Sequence, residues 1–161
     1  MDDNLKILDE GDARLRKESD PWDFSASSDE SLTSLLSQMK RLMQVGEGVG
    51  LSAPQVGINK QVFIVRVQDS RRYPSLPSVP FRVFINPKIL RVSRRTGYFV
   101  EGCLSVVGIR VGLRRSKWVW VSWQDSSGRR YSSKLSGVLA RIFLHEFDHL
   151  RGVLISDYLD L

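Results

Sequence analysis

"FLHEFDHLRG", residues 143 to 152, holds both histidines of this 161-residue chain. His145 and His149 stand four residues apart, one helical turn, so both rings can face the same side and reach one cation. Glu146 follows His145 and is turned about 100° round the axis, at 3.6 residues per turn. That position suits a carboxylate that takes a proton from an activated water without being a ligand itself. The same residues also fit a polar helical turn with no metal. Yet Phe143, Leu144, Phe147 and Leu150 surround them, and a buried histidine pair without a cation needs other partners. The spacing predicts a helix from about Gly137 to Leu150, closed by Gly152 as its C-terminal cap.

Two histidines leave a metal short of a ligand. Residues 150–161 offer Asp157 and Asp160 and no further histidine or glutamate. Upstream, "EGCLSV" (101–106) contains the single cysteine of the chain. A thiolate suits a borderline or soft divalent ion. One sulfur with two imidazoles leaves a fourth position open to water, as catalytic sites do. A lone cysteine beside a leucine is also an ordinary core residue, so the residues alone leave both readings of Cys103 open.

The bulk composition sets limits on the rest. A chain of this length suits one domain, residues 1–161, with a sizeable core. Its 42% hydrophobic and 26% charged content is ordinary for a globular protein. No run of eighteen apolar residues occurs, so no membrane partner is expected. One cysteine cannot form an internal disulfide, and a reducing compartment fits. The start, "MDDNLKILDEGD", is acidic and resembles neither a secretory signal nor an Arg-rich transit peptide. The expected location is therefore the cytoplasm, or an organelle if a leader has been removed. The net charge of +6 implies attraction to polyanions and says nothing of fold. Oligomeric state is left open.

Regular structure is legible in several stretches. In "SSDESLTSLLSQMKRLM" (27–43), Leu32, Leu35, Leu36, Met39, Leu42 and Met43 recur at helical spacing. Ser27 with Glu30 matches a capping box, with Ser28 as the alternative cap. "QVFIVRV" (61–67) reads as a strand. "SRRYPSLPSVP" (70–80), with its three prolines, reads as an irregular excursion. "FRVFINPKILRVS" resumes the sheet, with a bend or break at Asn86-Pro87. "WVWVSW" (118–123), the "QDSSG" turn and "RRYSSKL" read as a hairpin. The expected class is α+β, with mixed, mostly antiparallel sheets packed around the C-terminal helix.

Three segments, "GVGLSAPQVG" (48–57), "EGCLSV" (101–106) and "HEFDHLRG" (145–152), resemble in order the signature motifs of the peptide deformylases. The likeness covers nearly all of the chain after about residue 30. It implies a hydrolase that removes the formyl group from the N-terminal methionine of nascent formyl-methionyl peptides and releases formate. It implies one divalent metal held by Cys103, His145 and His149: Fe2+ in the cell, with Zn2+, Ni2+ or Co2+ as alternatives. By the same likeness Glu146 carries the proton, and the Gln55 amide and Leu104 N–H meet the developing oxyanion. Gly50 matches the glycine whose backbone pairs with substrate. Val138 and Ile142 precede His145 by seven and three residues, share its helix face, and are expected to wall the methionine slot.

Some positions depart from the family pattern. Ser52-Ala53 stands where two alanines are usual. Leu144 replaces a common glutamine before the first histidine, removing a possible supporting hydrogen bond. Val107 stands where a proline is usual and bears on the shape of that loop. The chain stops soon after the last histidine, so a partner contact made by a longer tail is expected to be absent. These departures keep two rivals in play: a hydrolase of altered substrate or low turnover, and a non-catalytic binder of peptide ends or ribosomal RNA. The arginines of "SRRY", "SRRTGY" and "LRRSKWVW" fit solvated faces or a weak electrostatic attraction to the ribosome.

Overall fold

The computed structural model describes residues 4–68 and 71–159. Strand β2 (Val62–Val67) is its centre, because the run VFIVRV has no polar residue before Arg66 and is covered on both faces. Phe63, Val65 and Val67 turn to one side, against Phe143, Ile142 and Ala140 of α2 (Gly137–Leu150). Val62 and Ile64 turn to the other side, against Leu35, Met39 and Met43 of α1 (Asp29–Val45). A strand buried on both faces reads as a continuous apolar run, and this one does.

Around it, β1 (Gly50–Ser52), β3 (Val79–Val92), β6 (Trp118–Gln124) and β7 (Arg130–Ser136) complete a five-stranded sheet ordered β1-β2-β3-β6-β7. The two remaining strands, β4 (Thr96–Cys103) and β5 (Val106–Ser116), form a separate two-stranded sheet. Every strand pair is antiparallel. The one parallel pairing among the described residues is an isolated bridge between Asp20 and Lys60. The α+β class is as expected, with helices on both faces of the larger sheet.

Phe63, Phe84 and Phe143 knit the sheet to α2, with ring centroids 5.0–5.2 Å apart. Burying such a ring contributes about 1.5–3 kcal/mol from area alone. The last turn of α2 closes in a Schellman arrangement: Val153 N–H donates to Asp148 O and Gly152 N–H to His149 O. Gly152 has φ +72°, which a side chain would resist.

Two expectations need correction, and a third is met in one of its two forms. The cap of α1 is Ser28, whose Oγ accepts the Ser31 N–H at 3.1 Å, so the Ser27–Glu30 box does not form. The irregular excursion ends earlier than residue 80: β3 starts at Val79, with Pro80 in its second position, where a missing N–H is tolerated. At Asn86-Pro87 the expected bend occurs and the break does not. Asn86 takes φ +49° and the pairing shifts between Ile85 and Lys88, so β3 passes through as a bulge.

Candidate active site

The β4–β5 hairpin delivers Cys103 to the side of α2. Cys103 pairs with Val106 across the two-residue turn Leu104–Ser105, which sets the thiol at the tip of the hairpin, buried at 3% exposure. Its Sγ lies 3.3 Å from His149 Nε2. Ligand atoms of Cys103, His145 and His149 all fall within 4.8 Å of one another. A tetrahedral cation with bonds of about 2.3 Å to sulfur and 2.0–2.1 Å to nitrogen needs its ligand atoms about 3.3–3.6 Å apart. The cluster is therefore of the right size to close on one ion. Asp157 is not part of it, since its Oδ2 accepts from Arg16 Nη1 at 2.6 Å and from Leu154 N at 2.9 Å. Asp160 lies outside the described residues.

Two buried polar atoms here find no protein partner: Glu146 Oε2 and His149 Nδ1. Unpaired buried groups are rare enough to mark a place where something else binds. Burial pushes the Glu146 carboxyl up to about 7. Burial, reinforced by neighbouring His145, drives His149 well below its ordinary value and favours the neutral imidazole a metal requires. Burial also opposes charge on His145, but hydrogen bonds to Cys103 and Glu101 outweigh it and raise that group.

The oxyanion candidates are equally well fixed. Gln55 Oε1 accepts from Ser52 N at 3.0 Å and from Ser52 Oγ at 2.9 Å. This turns its Nε2 toward Ser105 Oγ, 3.2 Å away, and Cys103 Sγ, 3.5 Å away. The serine that departs from the usual alanine thus anchors the amide. Gly50 belongs to β1, an edge strand with one side unpaired, and a Cβ on it would collide with Glu146 Oε1. Gly50, Gln55, Cys103, Leu104, Val138, Ile142, His145 and Glu146 all line one cavity. His149 lies behind it against the thiol, at 1% exposure. Leu144 is partly buried and packs against the core between the larger sheet and α2. Val107 lies in β5 with 76% exposure, in the irregular stretch where the pairing jumps from Gly102–Arg110 to Cys103–Val106.

Two residues escaped the sequence reading. Glu101 Oε2 lies 3.0 Å from His145 Nδ1, so the ring's other nitrogen is the one left to face the cluster. Arg115 holds Glu101 through Nε–Oε1 at 3.2 Å and Nη2–Oε2 at 2.9 Å, and reaches Asp148 Oδ2 at 2.5 Å. In the sequence Arg115 looked like one more surface cation of "LRRSKWVW", yet it is 5% exposed. Burial alone would raise Glu101, but hydrogen bonds from His145 and Arg115 prevail and hold it at about 2.

The family model for polypeptide deformylase matches residues 4–161. The chain belongs to the polypeptide deformylase family. A peptide deformylase from Thermotoga maritima is 41% identical over 147 residues, 91% of this chain and 82% of that one. A class I type b peptide deformylase from Acinetobacter baumannii, solved with Met-Ala-Ser bound, superposes with TM-score 0.91 at 34% identity and covers 95% and 96% of the two chains. A probable peptide deformylase from Synechococcus phage S-SSM7 reaches TM-score 0.85 at 37% identity, over 96% and 99%. Deformylases are metal-dependent hydrolases that remove the N-formyl group from methionine at the start of nascent polypeptides, and this chain is an enzyme of that family. Among the described residues no helix is long and apolar enough to cross a membrane.

Proposed function

We propose that Cys103, His145 and His149 hold the divalent ion of this deformylase and that Glu146, Gln55 and Leu104 carry the reaction beside it. The observation behind this is the 3.3 Å approach of Cys103 Sγ to His149 Nε2, next to the unpartnered Glu146 Oε2. When bound, the ion acidifies water and polarises the formyl carbonyl. Sulfur and imidazole donors suit Fe2+, the ion proposed for the cell, as well as Zn2+, Ni2+ and Co2+.

Glu146 takes the proton from the attacking water and hands it to the departing amine, which leaves poorly unless protonated. The Gln55 Nε2–H and the Leu104 backbone N–H donate to the oxygen that gains negative charge. One such donor is worth about 2.7–4 kcal/mol. The unpaired edge of β1 at Gly50 pairs with the peptide main chain, which accommodates many sequences. Val138 and Ile142 form the wall against which the methionine side chain packs. Met-Ala-Ser, bound in the Acinetobacter relative, is a peptide of the kind this reaction releases.

The proposed place of action is the cytoplasm, where the net charge of +6 draws the enzyme weakly to the ribosome as nascent chains emerge. Protein prepared without oxygen should carry about one metal per chain and release formate from formyl-Met-Ala-Ser. Glu146→Ala should keep the metal and lose turnover by about 10²–10⁴-fold. Cys103→Ala should lose metal affinity as well. Metal-loaded protein that releases no formate overturns the catalytic assignment. Ribosome co-sedimentation should weaken with added salt, and its absence at low salt removes the ribosomal attraction.

A further inference from the structure

The cavity of the active site has a second wall that the chemistry does not use. Arg72 and Tyr73, from the segment between β2 and β3, line it together with Arg141 of α2. They lie directly over Gly102, the residue before Cys103: a Cβ there would come within 2.9 Å of Arg72 Nη2 and 3.1 Å of Tyr73 Oη. The Tyr73 ring is flanked by two guanidinium groups, with Arg72 5.8 Å and Arg110 5.3 Å from its centroid. Arg110 Nη2 also donates to Arg72 O at 3.4 Å, tying this segment to β5.

The charges do not cancel. The carboxylates lining the cavity are Glu101 and Glu146. Glu101 is consumed by Arg115, His145 and Arg141, and Glu146 faces Gly50. Arg141 is further engaged by Val100 O at 3.0 Å and by the Phe99 ring. Arg72 and Arg110 make no ion pair among the described residues. A peptide whose methionine enters beside Val138 and Ile142, and whose main chain runs between Gly50 and Gly102, carries its next residues past these two cations.

We infer that Arg72 and Arg110 set a substrate preference at the mouth of the site: formyl-methionyl peptides with an acidic side chain at the second or third residue are favoured over those with a basic one. The inference rests on the catalytic reading above for the identity of the reaction. It concerns charge at a solvent-exposed rim, so the effect is modest and screened by salt. Attraction of a carboxylate and repulsion of an ammonium act together. The expected difference in kcat/KM is about threefold to tenfold at low ionic strength, carried mainly by KM because the contact is the same in ground and transition states.

The test uses metal-loaded protein and C-terminally amidated formyl-Met-Ala-Xaa and formyl-Met-Xaa-Ala peptides, with Xaa as Asp, Ala or Lys. Amidation removes a terminal carboxylate that would mask the side chain. The Asp peptides should rank first and the Lys peptides last, and the ratio should shrink as salt is raised. In Arg72→Ala/Arg110→Ala the Asp-to-Lys ratio should fall toward one, and in Arg72→Glu it should invert. Arg72→Lys/Arg110→Lys should retain it, which separates loss of charge from damage to the segment. A ratio within twofold in the unaltered protein at low salt overturns the inference. So does a preference that survives the double alanine variant. Failure to hydrolyse any of these peptides, the alanine ones included, counts instead against the catalytic assignment.

Discussion

Arg115 grips Glu101 from both ends of its carboxylate, at 3.2 and 2.9 Å, while Glu101 Oε2 sits 3.0 Å from His145 Nδ1. Each is nearly excluded from solvent. The pair is a strut behind one of the rings proposed to ligate the metal. Such carboxylate–histidine contacts fix ring orientation and basicity.

Removing the cation alone should be the most damaging change to this strut. Arg115→Ala leaves Glu101 with Arg141 and His145 alone and Asp148 with Tyr158 alone, at a cost of up to about 3–5 kcal/mol in unfolding free energy. Metal affinity should fall by about 10–100-fold as His145 loses its fixed orientation. Urea denaturation and competitive metal titration measure the two effects separately. An Arg115→Ala protein with unaltered stability and affinity would contradict the role given to the pair.

Acid should act through the same carboxylate. Glu101 titrates at about 2 in the folded chain against an ordinary 4.5. Its stabilising contribution is therefore complete above about 4.5 and is lost progressively as pH falls from there toward 2. Unfolding free energy followed between pH 6 and 2 should drop over that window. In Glu101→Gln the drop should be shallower, from a lower starting stability.

Gly50 has no room for a side chain. Gly50→Ala brings a methyl group into Glu146 Oε1, so either the carboxylate or β1 must move. Turnover should fall about tenfold or more, while the metal content, assigned by the proposal to Cys103, His145 and His149, stays near that of the unaltered protein. Formate release and metal analysis on one preparation decide it, and full activity in Gly50→Ala would refute the crowding.

Ser52→Ala tests the anchor of Gln55. The change removes the 2.9 Å hydroxyl bond to Gln55 Oε1 and leaves the 3.0 Å bond from the Ser52 N–H. Stability should fall by about 1 kcal/mol. The value of kcat should decline several-fold with little change in KM if Gln55 has the oxyanion role proposed for it, because a looser amide meets the developing charge less well. A change confined to KM would place the serine's influence on substrate binding instead.

Much of this arrangement could be read from the residues. Helix α2 was bounded correctly because Gly152 ends it and its apolar face is periodic. Strand β2 was plain from an unbroken apolar run. The β4–β5 hairpin was not anticipated, since glycines at 97, 102, 108 and 112 dilute the strand signal. In β5 the inward positions are Val111, Leu113 and Arg115, so the alternation is present but its third member is charged. That substitution hid both the strand and the buried ion pair. Cys103 could be chosen over a plain core cysteine only through the family likeness, because its approach to His149 spans 46 positions and no local pattern encodes it. Glu101 sits two residues from Cys103 on the same buried side of β4. That period-two relation was the one available clue.

Strand β1 is only three residues long, and its Ser52 N–H is already taken by Gln55 Oε1. An exposed ladder of unpaired N–H and C=O groups recruits any extended chain it meets, and long apolar edges lead proteins into aggregates. Here the opening is short, and the opposite margin of the sheet, β7, is studded with Arg130, Lys134 and serines. The fold therefore offers an extended guest one short point of attachment, while the far margin carries charge of the kind that discourages strand pairing.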